Sequence, residues 1–274
     1  MYRCVLNQDG EVLLHRNMKA GPEPFLKALA PDREDVVVCV ECSFTWSWLA
    51  ALCTREGIPF VLGHALSMQA IHGGNAQNDQ LDAHKMAGGL RGGRLPQGSV
   101  YPAERRATRD LLRRRVHLTR QRAALLAHIQ HTNSPYHLPE ISTKRADTVN
   151  RDGVAERFPE PAVQKRIEVD LARIDHDDRP LTDLELDLVQ TATEHEAQTF
   201  YRLRSIPGVG KSLALVLRYE IHAIRRFPRV QAFVSSGRLV KCAKESAGTR
   251  DGTSGKKIGH ASLQWACSEA AVLF

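Results

Sequence analysis

No stretch of this 274-residue chain approaches the roughly 18 consecutive apolar residues of a membrane span, and its start, MYRCVLNQDG, lacks the basic, apolar and small-residue order of a secretory signal. A cytoplasmic protein with no membrane partner is expected. Cysteine is sparse: of the six, at 4, 39, 42, 53, 242 and 267, four lie inside apolar stretches, which argues for reduced core thiols and against a disulfide scaffold. Cys39-x-x-Cys42 has zinc or redox spacing, but no second pair follows and Cys39 falls within an apolar run, so core thiols are the better reading. There is no internal repeat. Gly210-Lys211-Ser212 invites a phosphate-loop reading, yet position 205, where that motif needs glycine, is serine, and no strand precedes it. These absences exclude a membrane carrier, a secreted disulfide framework, a repeat scaffold and a P-loop nucleotidase.

What is present is an ordinary globular composition, 42% hydrophobic and 25% charged, in a chain long enough for roughly two domains. The net charge of +7 points to a polyanionic partner, and its distribution says more than its sum. Residues 104–122 carry eight arginines against Glu104 and Asp110, a net of +6. Residues 202–257 hold thirteen Lys and Arg against Glu220, Glu245 and Asp251, a net of +10. Between them, residues 151–196 have a net of −7. Any one basic block can be a solvated helix face, but two of this density favour nucleic acid, with Arg113, Arg114 and Arg115 as contacts.

Residues 2–6 and 11–14 read as a hairpin around Gln8-Asp9-Gly10, because Asp-Gly supplies the positive φ of a tight turn. A helix follows near 25–30, and the β-branched run at 35–41 is too apolar for a half-exposed strand, so it reads as a central strand buried on both faces and ending on Glu41. A helix at 46–55 stopped by Gly57, a strand at 58–62 and a helix around 79–86 complete an α/β pattern. Beyond Pro102 a long helix runs to about 130, a break spans 133–139, and a second helical region covers 161–204 with an interruption near 177–180. Its apolar positions Ile167, Leu171, Ile174, Leu181, Leu184 and Leu188 recur at three and four, suiting a helical hairpin or coiled coil that could pair two protomers. The expected organisation is an α/β domain over 1–100, a helical coiled-coil region over 101–200 and a mainly α domain over 201–274.

Ser205-Ile-Pro-Gly-Val-Gly-Lys-Ser-Leu-Ala214 has the form of a helix-hairpin-helix turn, in which Gly208 and Gly210 bring backbone N–H groups to a phosphate at a helix N-terminus and Lys211 adds charge; an ordinary tight turn is the alternative. Three carboxylates stand out upstream. Glu41 ends a buried strand, where ligands gather in α/β sheets, and Asp79 and Asp82 are three apart at a loop-to-helix junction, on one helix face. Such hard oxygen donors suit magnesium and phosphodiester chemistry, although an Asp pair opening a helix more often caps it and complements its dipole.

Val36-Val-Val-Cys-Val-Glu41, Asn78-Asp79-Gln-Leu-Asp82-Ala83, Ile206-Pro-Gly-Val-Gly210, Arg226-Phe227, and Glu245-Ser-Ala-Gly248 through Gly255-Lys-Lys-Ile-Gly259 occur in the order of one family over nearly the full length. The chain resembles the bacterial insertion-sequence transposases of the DEDD type. The resemblance implies an RNase H (RuvC-like) N-terminal domain, a C-terminal transposase domain with a helix-hairpin-helix, Mg2+ on four acids, a serine nucleophile, and a guide (bridge) RNA selecting the DNA. Carried over, Glu41, Asp79 and Asp82 take the second, third and fourth acidic positions, while the first has no counterpart; Asp9 belongs to the hairpin turn. The first strand of the fold is expected to be missing, with the chain truncated at both ends. Ser246 matches the nucleophile, with Lys241, Lys244 and Arg250 around it to stabilise phosphoryl charge, and Ser254 is its competitor. His117, His128 and His131 on the basic helix read as solvated or phosphate-contacting. A non-catalytic nucleic-acid-binding remnant and a RuvC-like junction nuclease are the alternatives to a transposase, and the nuclease would not need a C-terminal serine.

Overall fold

The computed structural model describes residues 1–42, 46–64, 78–139, 151–240, 242–246, 249–254 and 259–274, the strands at 242–246 and 249–254 through their backbone alone. The chain divides into two compact units, Met1–Ala103 and Glu104–Phe274. Residues 101–200 and 201–274, expected as separate regions, fall almost wholly within the second unit.

In the first unit, β1 (Tyr2–Leu6) and β2 (Val12–Asn17) form an antiparallel hairpin with a register shift between Val5 and Leu6. Its turn is set by Asn7, whose side-chain oxygen accepts from the N–H of Asp9 (3.1 Å) and Glu11 (2.8 Å), and by Gly10 at φ +92°, where a side chain is strained. Helix α1 (Pro22–Leu29) leads to β3 (Val38–Glu41), then α2 (Trp46–Arg55) and β4 (Phe60–Gly63), which pairs parallel to β3. Strand alternation divides this small sheet between two layers. Val38, Val40 and Phe60 pack into a core with Phe25, Leu29, Leu49, Leu52 and Cys53, whereas Cys39 and Val61 face the opposite cluster of Met86, Leu90 and Leu95. Strand β3 is therefore covered on both faces, as its composition requires, but it is shorter than the apolar run: Val37 is 46% exposed and precedes the ladder. Helix α3 (Asp79–Arg91) supplies that second layer and also packs on β1. Its start is fixed by Asn78, whose side chain accepts from Leu81 N–H at 2.9 Å. The described strands form three separate two-stranded sheets rather than one continuous sheet.

The second unit is built on two long helices, α4 (Ala103–Thr132) and α5 (Pro161–Arg204). Their ion pairs fix an antiparallel register: Arg105 with Glu196 (2.6 Å), Arg115 with Glu185, Arg122 with Asp178 (2.5 Å), His128 with Asp170 (2.6 Å). The acidic block of the sequence thus folds onto the first basic block. Arg151, with its side chain only 4% exposed, reaches Asp175 and Asp178 from the connecting segment. Ile129, Phe158, Ile167 and Ile174 form a core at one end of this hairpin. At the other, Leu112, Leu188 and Phe200 pack around α6 (Lys211–Ile221), whose residues 213–220 are all buried, and α8 (Ala261–Leu273), which contributes Leu263 and Ala266.

Helix α5 runs through Pro180, contrary to the interruption expected at 177–180. Proline removes one intrahelical bond there, but Asp178 and Glu185 on either side are tied to α4, which holds the helical path. The break falls instead at Glu196 (φ −155°, ψ 60°). Beyond α6, helix α7 (Val230–Ser236) precedes an antiparallel hairpin of β5 (Cys242–Ser246) and β6 (Thr249–Ser254), an addition to the mainly α domain expected.

Candidate functional site

The three carboxylates belong to the first unit. Glu41 closes β3 opposite Gly63, and the following N–H, of Cys42, donates to Gly63 O at 2.9 Å, so the carboxyl-terminal edge of the parallel pair is well defined. Asp79 and Asp82 occupy the first turn of α3, Asp79 exposed and Asp82 half-buried, with Asp82 N–H bonded to Asn78 O at 3.0 Å. Their negative charge complements the helix N-terminus. Helix α3 lies against β3, which brings the two elements of the expected site side by side. Among the described residues, no three His, Cys, Asp or Glu side chains stand close enough to hold a metal ion. The donors fit magnesium in kind, but they are not gathered into a three-ligand cage.

Ser246 is the last residue of β5 and pairs with Thr249, the first of β6; Ser254 ends β6 opposite Cys242. The two serines therefore lie at opposite ends of the hairpin, about 13 Å apart along the strands at ~3.3 Å per residue. Lys244 pairs with Gly252 and Arg250 with Glu245, while Lys241 falls outside the described residues.

The turn between α5 and α6 places Gly208 at φ +79°, and a Cβ there would lie 2.5 Å from Ala270 O, so its backbone is packed directly under the end of α8. Gly210, the N-cap of α6, is open by comparison: a Cβ added to it would meet nothing within 4 Å, no side chain caps the helix, and Lys211 beside it is exposed. The first N–H groups of α6 are thus presented with a cation at their edge, an arrangement suited to a phosphate.

On α4 the basic block is largely spent internally. Arg109 Nε and Arg113 Nε donate to Glu220 at 2.6 and 2.8 Å, and His260 Nε2 lies 3.1 Å from the same carboxylate. Arg115 is held by Glu185. Arg114, between them in sequence, is exposed and makes no ion pair among the described residues. Burial alone would push the Glu220 carboxyl up, but hydrogen bonds from His260 and Arg113 and the charge of Arg109 hold it well below the usual carboxylate range. Glu220 is one of only three acids in the second basic block, and that isolation is the signal in the sequence that it anchors cations. His128, read as solvated or phosphate-contacting, is paired with Asp170. The cysteines divide: Cys53 is buried, and burial pushes the thiols of Cys39 and Cys53 up to about 11, whereas Cys42 is exposed and not a core thiol. No described helix is long and apolar enough to cross a membrane.

Residues 2–134 match the DEDD transposase model of the IS110 type, and residues 201–273 match the transposase IS116/IS110/IS902 family. A search of curated proteins returned no match. The two matches flank the acidic stretch of α5 in the order the motifs predict, and the chain belongs to the IS110-type insertion-sequence transposases.

Proposed function

We propose that this DNA transposase cuts and joins insertion-sequence DNA through a covalent intermediate on Ser246. The observation that supports the assignment is the hairpin register, which pairs Ser246 with Thr249 at the end of β5 and sets Ser254 opposite Cys242, so that the two serines are separate candidates. In the reaction, Ser246 Oγ bonds to phosphorus, the bond from phosphorus to the leaving nucleoside oxygen breaks, the hydroxyl proton passes to a base, and the leaving oxygen is protonated or retained for rejoining. Lys241, Lys244 and Arg250 supply positive charge for the pentacovalent phosphate. The DNA backbone is held at Gly210 and Lys211 in a helix-hairpin-helix, with Gly208 supporting the turn against α8, and along α4 at Arg114, with Arg113 and Arg115 held in place behind it by their carboxylates.

Glu41, Asp79 and Asp82, on an RNase H-like α/β layer, are the proposed ligands of Mg2+. Magnesium is characteristically bound through one or two carboxylates and completed by water and substrate phosphate, so a protein cage of three is not a requirement of the free state. A guide RNA and self-association through the long helices complete the proposal. The test is to trap the protein–DNA adduct under denaturing conditions: Ser246→Ala is expected to lose it and Ser254→Ala to retain it. An adduct that survives Ser246→Ala sinks the nucleophile assignment.

A further inference from the structure

Between α4, α6 and α8, wholly within the second unit, lies a cavity of about 160 Å³ that the transposition chemistry does not use. Its floor is aliphatic, formed by Leu112, Val116 and Val216. One wall is the half-buried indole of Trp265, and the Arg120 guanidinium lies 5.3 Å from that ring. Arg113 stands at the rim with its side chain 46% exposed, fixed by its bond to Glu220. The back wall, Glu220, is already met by Arg109, Arg113 and His260, so its charge is neutralised from within and does not repel an anion at the mouth.

We infer that this cavity receives one unstacked nucleobase of a single-stranded nucleic acid, with the base against Trp265 and its flanking phosphate on Arg120. The inference rests on the proposed nucleic-acid function and adds a site to it. Three features decide the ligand. A cavity of about 150 Å³ accommodates a benzene ring, so this one admits a single pyrimidine-sized ring and not a stacked pair. Its apolar floor and aromatic wall suit the face of a base, and base–aromatic stacking is the device by which single strands are held without sequence readout. Arg120, exposed and stacked on Trp265, can exchange that face for a base while keeping its charge on a phosphate. Ser262 and His117, also at the wall, offer hydrogen bonds to the base edge.

The test uses the full chain with fluorescein-labelled single-stranded oligothymidylate, single-stranded oligouridylate, and a duplex of the same length. Trp265→Leu is expected to weaken single-strand binding about tenfold and Trp265→Phe to restore most of it, with duplex binding within about twofold of the parent. An oligonucleotide with one abasic position should lose affinity on the parent chain and lose nothing further on Trp265→Leu. A larger loss with thymidylate than with uridylate assigns the pocket to a DNA strand, the reverse assigns it to RNA, and equal losses mean that it takes either. Because Trp265 also packs on the core, 5-bromouracil photocrosslinking on the unaltered chain provides a second measurement, with adducts expected at Trp265 or His117. Salt-dependent binding that is indifferent to Trp265, or crosslinks confined to other segments, overturns the pocket while leaving the nucleic-acid reading intact. A parent chain that binds no oligonucleotide overturns both.

Discussion

Glu220→Gln is the substitution that the second unit should tolerate least for its size. Glu220 is 2% exposed, and its carboxylate is the common acceptor for Arg109, Arg113 and, at 3.1 Å, His260. Removing the anion from a buried cluster leaves cations uncompensated, at a cost of about 3–5 kcal/mol. The lower end applies because the Arg113 side chain is 46% exposed and rehydrates, whereas Arg109, 17% exposed, does not do so fully, and glutamine retains one acceptor oxygen. With about 3 kcal/mol lost and an m-value near 2 kcal/mol/M, the urea midpoint of the helical unit should fall by about 1.5 M, read by far-ultraviolet circular dichroism. The pH dependence follows from the direction of the Glu220 shift. Its folded pKa is depressed, so its contribution is present above the unfolded value of about 4.3 and is lost as pH falls below that toward the folded value. The parent should therefore lose stability steeply below about pH 4, and Glu220→Gln should lose less over the same interval. A midpoint within about 0.3 M of the parent, or parallel acid profiles, would show that the cluster contributes nothing beyond its solvation cost.

Gly208→Ala and Gly210→Ala should separate sharply in thermal melts. The first combines φ +79° with a Cβ 2.5 Å from Ala270 O and should cost several kcal/mol (~3), while the second has open space and a negative φ and should cost under about 1 kcal/mol. Glu196→Ala, which removes the carboxylate joining Arg105 to the buried Arg218 at the break in α5, should cost about 2 kcal/mol and raise hydrogen exchange on both sides of that break; unchanged exchange would mean that the ion pairs do not hold it. Iodoacetamide near pH 8 should alkylate exposed Cys42 in the native chain but reach Cys53 only on unfolding, since Cys53 is both buried and raised to about 11; equal rates in the native state would contradict that burial.

The parts of the fold that are legible in the sequence are those fixed within a few residues. Asp9-Gly10 marks the first turn, Asp79 and Asp82 mark the start of α3, and the β-branched run around Val38 announces a strand with two covered faces, because each signal acts through neighbours in the chain; the side-chain caps of Asn7 and Asn78 are seen only in the structure. Pro180 misleads for the complementary reason. Its local preference is to end a helix, and the forces that keep α5 continuous come from Arg115, Arg122 and Arg151, far away in sequence. The β5–β6 hairpin escapes a sequence reading because its strands are polar and glycine-containing, without the alternation of a half-buried sheet. The candidate carboxylates are legible as types at an edge and a helix start, since strand ends and N-caps are local features. Their mutual distance is tertiary and no spacing in the sequence encodes it.

Charge shows the same limit most clearly and yields a last prediction. Counted along the chain, residues 104–122 carry +6, and a cluster of that size suggests a continuous phosphate-binding face. In three dimensions Arg105, Arg109, Arg113, Arg115 and Arg122 each meet a carboxylate of α5 or α6 and Arg106 is half-buried, leaving Arg114 and Arg120 exposed without an ion pair among the described residues. Counterions condense on a phosphate polyanion and are released in proportion to the cations that actually reach it, about 0.9 per phosphate neutralised on duplex DNA. A guanidinium already bound to carboxylate can release few of them. Arg114→Gln should therefore reduce the slope of log K against log salt by about 0.9 with little change in stability. Arg115→Gln should leave the slope unchanged and cost about 1 kcal/mol, because it strands Glu185, which is itself 29% exposed and so recovers part of its hydration. Replacing Arg113, Arg114 and Arg115 together would confound the two effects, since it also opens the Glu220 cluster. If Arg115→Gln flattens the slope as much as Arg114→Gln does, its ion pair opens on binding and the internal neutralisation of α4 is not maintained in the complex.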